Sequence, residues 1–171
     1  MRLLVGILFF VTLFSSFSLK KDENNEWLGR KIIVPDGVVC KILEQEVPCA
    51  DLWDKPYKVL TYVDSIGCSS CQIGMYQWKS FIDSFTAQQF DVSFVFVVHS
   101  SDFDGFVSDV RFYEFNYFIF YDYENRFDKV NNFMSSYHRT FLLDKDNKVL
   151  LTGSPIHNPK LLEQYKEHFN N

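Results

Sequence analysis

The chain has 171 residues, of which 47% are hydrophobic and 23% are charged, and its net charge is −5. This length suits one well-buried domain and is too short for two domains of ordinary size. Nucleic-acid-binding proteins neutralise phosphates with clustered lysine and arginine, so an acidic chain without a basic run argues against that class. The 19 Phe and 9 Tyr indicate strands and a core rich in aromatic rings.

The first 18 residues have the pattern of an export signal. Arg2 gives a positive start, residues 3–14 are almost entirely apolar, and residues 15–18 include small side chains where a signal peptidase could cleave. The apolar run is about twelve residues long, whereas roughly 20 are needed to span a bilayer. We therefore expect a cleaved signal peptide, rather than an uncleaved membrane anchor, on a protein that is exported to the periplasm or another extracytoplasmic compartment.

Composition and turn signals divide the rest of the chain in two. Residues 19–56 are predicted to form a polar leader and an N-terminal β-hairpin extension, and residues 57–171 the main domain. In the extension, we predict strands at 30–35 and 38–43 about a turn at Asp36-Gly37. Residues 48–56 begin and end at prolines and are predicted to form a loop.

The main domain is predicted to alternate strands and helices. Residues 57–64 are rich in β-branched and aromatic residues and are predicted to form a buried strand, and residues 90–99 contain a continuous apolar run of strand length. Between them, from residue 69 to about residue 88, apolar residues recur at the spacing of a helix. Trp78 and Phe81 lie on that apolar stripe, so we expect both in the core.

The elements after residue 100 are predicted from the same signals. They are a helix at 102–113 capped by Ser100 or Ser101, a strand at 117–121, a helical turn at 127–134, a hairpin of strands 139–144 and 148–153, and a helix from Pro159 through His168. Alternation gives parallel strand pairs and the closing hairpin adds antiparallel ones. We expect an α/β three-layer sandwich, with a mixed central sheet covered by helices on both faces.

Cys68 and Cys71 are the residues most suited to carry chemistry. They are three positions apart at the start of the predicted helix, which places them on one face and close enough for a disulfide. Unpaired N–H groups and the helix dipole would stabilise a thiolate at Cys68, because both favour negative charge there. The thiolate would attack a substrate disulfide and Cys71 would resolve the mixed disulfide, without a metal or other cofactor.

The sequence around this pair resembles a known family. Residues 59–71, V-L-T-Y-V-D-S-I-G-C-S-S-C, and residues 137–149, Y-H-R-T-F-L-L-D-K-D-N-K-V, are similar to the exported TlpA-like and AhpC/TSA-type redoxins of the thioredoxin superfamily. The similarity spans residues 57–169 and leaves the hairpin extension outside. It implies a thioredoxin-like fold and a thiol–disulfide oxidoreductase that acts on exported protein thiols or disulfides, with a membrane-bound thiol reductase as a further expected partner.

The resemblance also suggests which residues contact substrate: Gly67, Ser69, Ser70, His138 and Arg139. The family usually has a cis-proline facing the disulfide, and His138 occupies that position here. A non-proline cis bond costs about 2.5–4 kcal/mol, so we predict a trans bond. The family's buried acid, which assists proton transfer, is replaced by Tyr62, with Asp64 nearby.

Several alternatives remain open. Cys40 and Cys49 flank a loop and are predicted to form a structural disulfide after export, although a relay with Cys68 and Cys71 is another interpretation. A zinc site is disfavoured because a second C-x-x-C is missing. The chain could instead be a peroxiredoxin-like peroxidase, disfavoured by Ser65 where such enzymes have Thr, or a non-catalytic binding module with a structural disulfide.

Overall fold

The structure is a computed structural model that describes residues 26–65, 73–133, 138–156 and 158–170, with backbone only at Ser65, His138 and Arg139. Its strands are β1 (Val39–Ile42), β2 (Gln45–Glu46), β3 (Tyr57–Ser65), β4 (Val92–Ser100), β5 (Phe118–Tyr121), β6 (His138–Leu143) and β7 (Val149–Thr152). Its helices are α1 (Ala50–Trp53), α2 (Met75–Thr86), α3 (Phe103–Phe112), α4 (Arg126–Asn131) and α5 (Pro159–Phe169).

The strands form one seven-stranded sheet in the order β2-β1-β5-β4-β3-β6-β7. β3 pairs with β4 in parallel, and β4 pairs with β5 in parallel. The remaining neighbours are antiparallel. The apolar run within β4 and the buried residues of β3 fit this position, because strands inside the sheet are covered on both faces. The predicted mixed sheet is confirmed.

One face of the sheet, the long-helix face, is covered by α2, α3 and α5. The tryptophan of α2, Trp78, is 2% exposed and packs edge-on against Phe94 and Phe96 of β4, with ring centroids 6.3 and 5.4 Å away. Aromatic edge-to-face pairs of this kind add to the free energy of burial. The apolar residues whose spacing predicted this helix therefore lie on the face that α2 packs against the sheet.

The other face, the irregular face, is covered by residues 26–38, α1 and α4. Trp27 lies with its ring centroid 5.2 Å from those of both Phe133 and Phe141. The Asn131 side chain accepts a hydrogen bond from the Ile33 N–H and donates one to the Ile33 carbonyl, each 2.8 Å long. Asn131 thus gives Ile33 the two bonds that a neighbouring strand would supply.

The N-terminal hairpin is predicted too early in the chain: its predicted second strand is the first strand of the observed hairpin. Residues 30–35 form no strand, and within the described residues they contribute only an isolated bridge between Lys31 and Lys148. The N–H and the carbonyl of Ile33 are hydrogen-bonded to the Asn131 side chain, so Ile33 does not pair with a strand through them. The hairpin is instead β1 and β2, and β1 also pairs with β5. The predicted loop at 48–56 contains α1.

Two predicted helices differ in detail. The helix predicted over residues 69–88 is interrupted at Gly74, which has a left-handed φ of +67°; Ile73 before it is helical, and α2 begins at Met75. The predicted start at residue 69 lies outside the described residues. Helix α3 is capped by Asp102, whose carboxylate accepts a 2.9 Å hydrogen bond from the Gly105 N–H. Ser100 instead accepts a hydrogen bond from the N–H of Asp102 itself.

The closing elements agree with their predictions. Asn147 takes the left-handed conformation in the turn between β6 and β7, with φ +62°. Asn158 caps α5 by accepting a 3.1 Å hydrogen bond from the Leu161 N–H, and Pro159 is the first helical residue. In the described part of the chain, no helix combines the length and apolar character needed to cross a membrane.

Candidate redox site

The candidate site lies where β3 ends. Ser65, the last residue of β3, is opposite Ser100 at the end of β4, so the carboxyl ends of two parallel strands meet at one edge of the sheet. Ligand sites of open α/β sheets gather at such edges. Cys68 follows Ser65 by three positions and Cys71 precedes Met75 of α2 by four. The C-S-S-C sequence therefore belongs to the connection between this edge and α2.

The predicted site residues Gly67, Cys68, Ser69, Ser70 and Cys71 lie outside the described residues. Their roles, and the position of Cys68 at a helix N-terminus, remain predictions. The left-handed Gly74 shows that α2 itself starts after both cysteines.

His138 and Arg139 are described through their backbone, as the first two residues of β6. His138 pairs with Val63 and Arg139 with Tyr62, both in β3. His138 therefore begins β6, one position before the strand start predicted at residue 139. Its backbone lies beside the strand that leads to Cys68, which is the neighbourhood that the resemblance predicts. All peptide bonds among the described residues are trans.

Searches with family models and against curated proteins found no match to this chain. Solved structures match in three dimensions. A candidate thiol:disulfide interchange protein, DsbE, from Chlorobium tepidum has a TM-score of 0.61 at 16% identity, over 84% of this chain and 98% of that one. The thioredoxin domain of a thiol-disulfide oxidoreductase from Bacteroides vulgatus has a TM-score of 0.60 at 12% identity, over 83% and 97%.

A third match is a thiol:disulfide interchange protein from a Bacteroides species, with a TM-score of 0.57 at 14% identity over 84% of this chain and 92% of that one. The chain has a thioredoxin-like fold. At these identities, the likeness establishes the fold and leaves the activity to be argued from the site.

Tyr62, which the resemblance predicts to stand in place of the family's buried acid, lies in β3. It is 1% exposed, and its hydroxyl donates a 2.8 Å hydrogen bond to the side-chain oxygen of Asn125. Burial raises the pKa of Tyr62 far above its ordinary value, and nearby carboxylates, Asp64 first among them, act in the same direction. The Tyr62 hydroxyl therefore stays protonated and hydrogen-bonded to Asn125. It does not replace a carboxylate that accepts protons during thiol–disulfide exchange.

The neighbouring strand ends are fixed by Asp122, a residue that sequence reasoning did not single out. Its carboxylate is almost fully buried and accepts hydrogen bonds from the N–H groups of Arg126, at 2.8 Å, and Phe127, at 2.7 Å. Its backbone oxygen lies 2.8 Å from Nδ1 of His99. The N-cap position of α4 is Asn125, so the usual cap signal directly before a helix would not have found Asp122, four residues before the helix begins.

The other cysteine pair is a disulfide outside the candidate site. Cys40 and Cys49 are bonded, with their Cα atoms 6.3 Å apart. Cys40 pairs with Phe120 of β5, so β1 is three strand spacings, or about 14 Å, from β3. The bond ties β1 to the start of α1, and sulfurs joined in this way are not zinc thiolates. Among the described residues, no cluster of metal-binding side chains occurs.

Proposed function

We propose that this chain is an exported thiol–disulfide oxidoreductase that reduces or isomerises protein disulfides through Cys68 and Cys71. One observation carries the proposal. A C-x-x-C sequence directly follows the central strand β3 of a thioredoxin-like sheet and precedes α2, and the adjacent antiparallel strand begins at His138. A lone C-x-x-C is only moderately specific, but its place in this sheet joins the sequence pattern to the fold.

The proposed reaction consists of two exchanges. The Cys68 thiolate attacks one sulfur of a substrate disulfide, which forms a Cys68–substrate disulfide and releases the other substrate sulfur as a thiolate that takes a proton. The Cys71 thiolate then attacks the Cys68 sulfur, which forms the Cys68–Cys71 disulfide and releases the second substrate thiol. The substrate gains two electrons and two protons, and the cysteine pair loses them.

Each further turnover requires reduction of the Cys68–Cys71 disulfide. In the proposal, an exported thiol donor supplies those electrons, and a membrane-bound thiol reductase is the expected partner. For isomerisation no net electrons are needed, because a substrate thiol attacks the mixed disulfide and releases Cys68 again. Gly67, Ser69, Ser70, His138 and Arg139 are the proposed substrate contacts.

Two observations support export. The apolar run at residues 3–14 has the pattern of a signal peptide. The Cys40–Cys49 disulfide also fits an oxidising compartment, because structural disulfides persist outside the cytosol and are rare within it.

The test is insulin reduction by the wild type, by Cys68→Ser and by Cys71→Ser, with a Cys40→Ala/Cys49→Ala double variant as the matched control. We expect Cys68→Ser to lose activity by at least 100-fold. Cys71→Ser should accumulate a mixed disulfide that migrates as a higher-mass species without reductant. The control should retain activity, because its cysteines lie on β1 and α1, away from β3.

Equal insulin reduction by the wild type and Cys68→Ser would remove Cys68 from the mechanism. The reduction potential of the Cys68–Cys71 couple then separates the alternatives, since about 30 mV corresponds to 1.4 kcal/mol. A pair that resists mild thiols in a folded protein would favour a binding module. Peroxide consumption that depends on Cys68 would favour a peroxidase.

A further inference from the structure

A surface cavity of about 480 Å³ lies between the N-terminal hairpin and α3. The hairpin contributes Lys41 and Glu44, α3 contributes Phe103, Asp104 and Arg111, and Tyr123 stands after β5. The volume is in the range of pockets that hold small ligands or one or two peptide residues. The inference below uses only these lining residues and does not rest on the redox proposal.

The cavity lining has two cations, Lys41 and Arg111, and two carboxylates, Glu44 and Asp104, but only Arg111 and Glu44 form an ion pair among the described residues. Both oxygens of Glu44 accept hydrogen bonds from the guanidinium of Arg111. These bonds hold the pKa of Glu44 below its ordinary value, and the positive charge of Lys41 acts in the same direction. Glu44 thus lies between two cations and pairs with one of them. Within the described residues, Lys41 has no carboxylate oxygen within 4.0 Å, so its charge is available to a ligand.

Lys41 is held over aromatic rings. Its Nζ lies 5.2 Å from the ring centroid of Tyr121, 5.9 Å from that of Tyr123, and 3.4 Å from the Tyr123 hydroxyl. Cation–π contacts at such distances keep an ammonium group near the rings without neutralising its charge. The ammonium group is therefore positioned before any ligand arrives.

The rings of Phe103 and Tyr123 form an apolar wall of the cavity, and the buried ring of Tyr121 lies behind them. Phe103 lies with its ring centroid 4.6 Å from that of Tyr123, and Tyr121 stacks nearly parallel to Tyr123 at 6.1 Å. Tyr123 is 50% exposed, which leaves part of its ring open to a bound group. A ligand that fits this wall has an apolar or aromatic part next to its charged part.

We propose that this cavity binds a monocarboxylate attached to an aromatic or other apolar group. The carboxylate would pair with Lys41, and the apolar part would lie against Tyr123 and Phe103. A phosphate dianion fits less well, because the carboxylates of Glu44 and Asp104 also line the cavity and repel a second negative charge. Two sources share the proposed chemistry: the C-terminus of a peptide that ends in an aromatic residue, and a free aromatic acid.

The test is a titration of the full chain with N-acetyl-phenylalanine, followed by amide NMR shifts and by calorimetry. N-acetyl-phenylalanine amide is the ligand control, because it keeps the ring and lacks the carboxylate. Lys41→Gln should weaken binding of the acid at least tenfold, and Lys41→Arg should restore most of it. Lys145→Gln, at an exposed lysine in the β6–β7 turn, should leave binding unchanged.

Equal binding of the acid and its amide, or equal binding by the wild type and Lys41→Gln, overturns the proposal. So does a shift pattern that leaves Phe103 and Tyr123 unmoved. An acetylated tetrapeptide, Gly-Gly-Gly-Phe, separates the two sources. Tighter binding than N-acetyl-phenylalanine supports a peptide C-terminus, and equal or weaker binding supports a free acid, provided that both depend on Lys41.

Discussion

The two faces of the sheet are covered in different ways. On the long-helix face, α2, α3 and α5 each span at least 10 residues and bury one apolar stripe. On the irregular face, α1 and α4 have 4 and 6 residues, and an extended N-terminal segment covers the rest. Long helices satisfy most of their own backbone hydrogen bonds, whereas extended segments and short helices need partners.

Those partners are individual side chains on the irregular face. Asn131 bonds both backbone groups of Ile33, and Asp122 caps α4. The Ser93 hydroxyl donates a 2.7 Å hydrogen bond to the Leu52 carbonyl at α1. The Cys40–Cys49 disulfide adds a covalent tie. The long-helix face thus depends on apolar area, and the irregular face depends on specific polar and covalent contacts.

Trp78→Ala tests the apolar dependence and should have the largest effect. Removing this buried ring leaves a cavity beside Phe94 and Phe96, and such changes cost about 3–5 kcal/mol. Urea unfolding would measure the loss. Tyr76→Ala is the matched control, because Tyr76 lies in the same helix and is 70% exposed. Similar losses for both variants would contradict a core role for Trp78.

Cys40→Ala/Cys49→Ala tests the covalent tie on the irregular face. The disulfide closes a short loop with a sequence separation of 9, and its removal should cost about 3 kcal/mol, because the unfolded chain regains that freedom. Thermal and urea unfolding of the oxidised proteins would show it. If the double variant is as stable as the wild type, the disulfide does not stabilise the irregular face, and the claim that this face depends on a covalent contact is wrong.

Tyr117→Phe should have the smallest effect and tests a polar contact of the long-helix face. The Tyr117 hydroxyl donates a 2.7 Å hydrogen bond to Asp83 of α2, and burial first, then this bond, raises the pKa of Tyr117 to about 12. Its ordinary value is 10.0. The raised pKa favours folding fully below pH 10, and that contribution disappears as pH rises through about 12.

Unfolding at pH 7 should therefore show a loss of about 1 kcal/mol for Tyr117→Phe, the usual net value of one hydrogen bond. Between pH 10 and about 12, the variant should lose less stability than the wild type does. Tyr113→Phe, at a more exposed tyrosine, controls for the loss of a hydroxyl. If the free energies of unfolding of the wild type and Tyr117→Phe change in parallel across that pH range, the Tyr117–Asp83 hydrogen bond does not contribute to stability.

The sequence predicted the regular parts of the fold closely. Strands expected at 57–64 and 90–99 are found at Tyr57–Ser65 and Val92–Ser100. Short runs rich in β-branched and aromatic residues are assigned to strands rather than helices by their length and by the turn signals that bound them. The long-helix face was predictable for the same reason, since its packing follows the period of each helix.

The irregular face was less predictable because its contacts are long-range. The short run of residues 30–35, ended by Pro35, indicated a strand, yet Asn131, which takes the place of a strand partner, is 98 positions from Ile33. Local patterns do not show such a partner.

The candidate site divides in the same way. The C-x-x-C motif and its place after β3 were readable from sequence. In contrast, the Tyr62–Asn125 hydrogen bond joins residues 63 positions apart and depends on how distant segments meet. Gly74 was a visible signal, because a glycine within a helical pattern lowers the expectation that the helix continues through it.

The N-terminal hairpin has a consequence for how the molecule behaves among copies of itself. β1 covers the outer side of β5, a strand of four apolar and aromatic residues that would otherwise expose unpaired backbone groups. The sheet then ends at β2, two exposed residues of which one is the charged Glu46. An edge strand that is this short and carries a charge offers another chain few backbone groups to pair with. The hairpin should therefore reduce aggregation at high protein concentration.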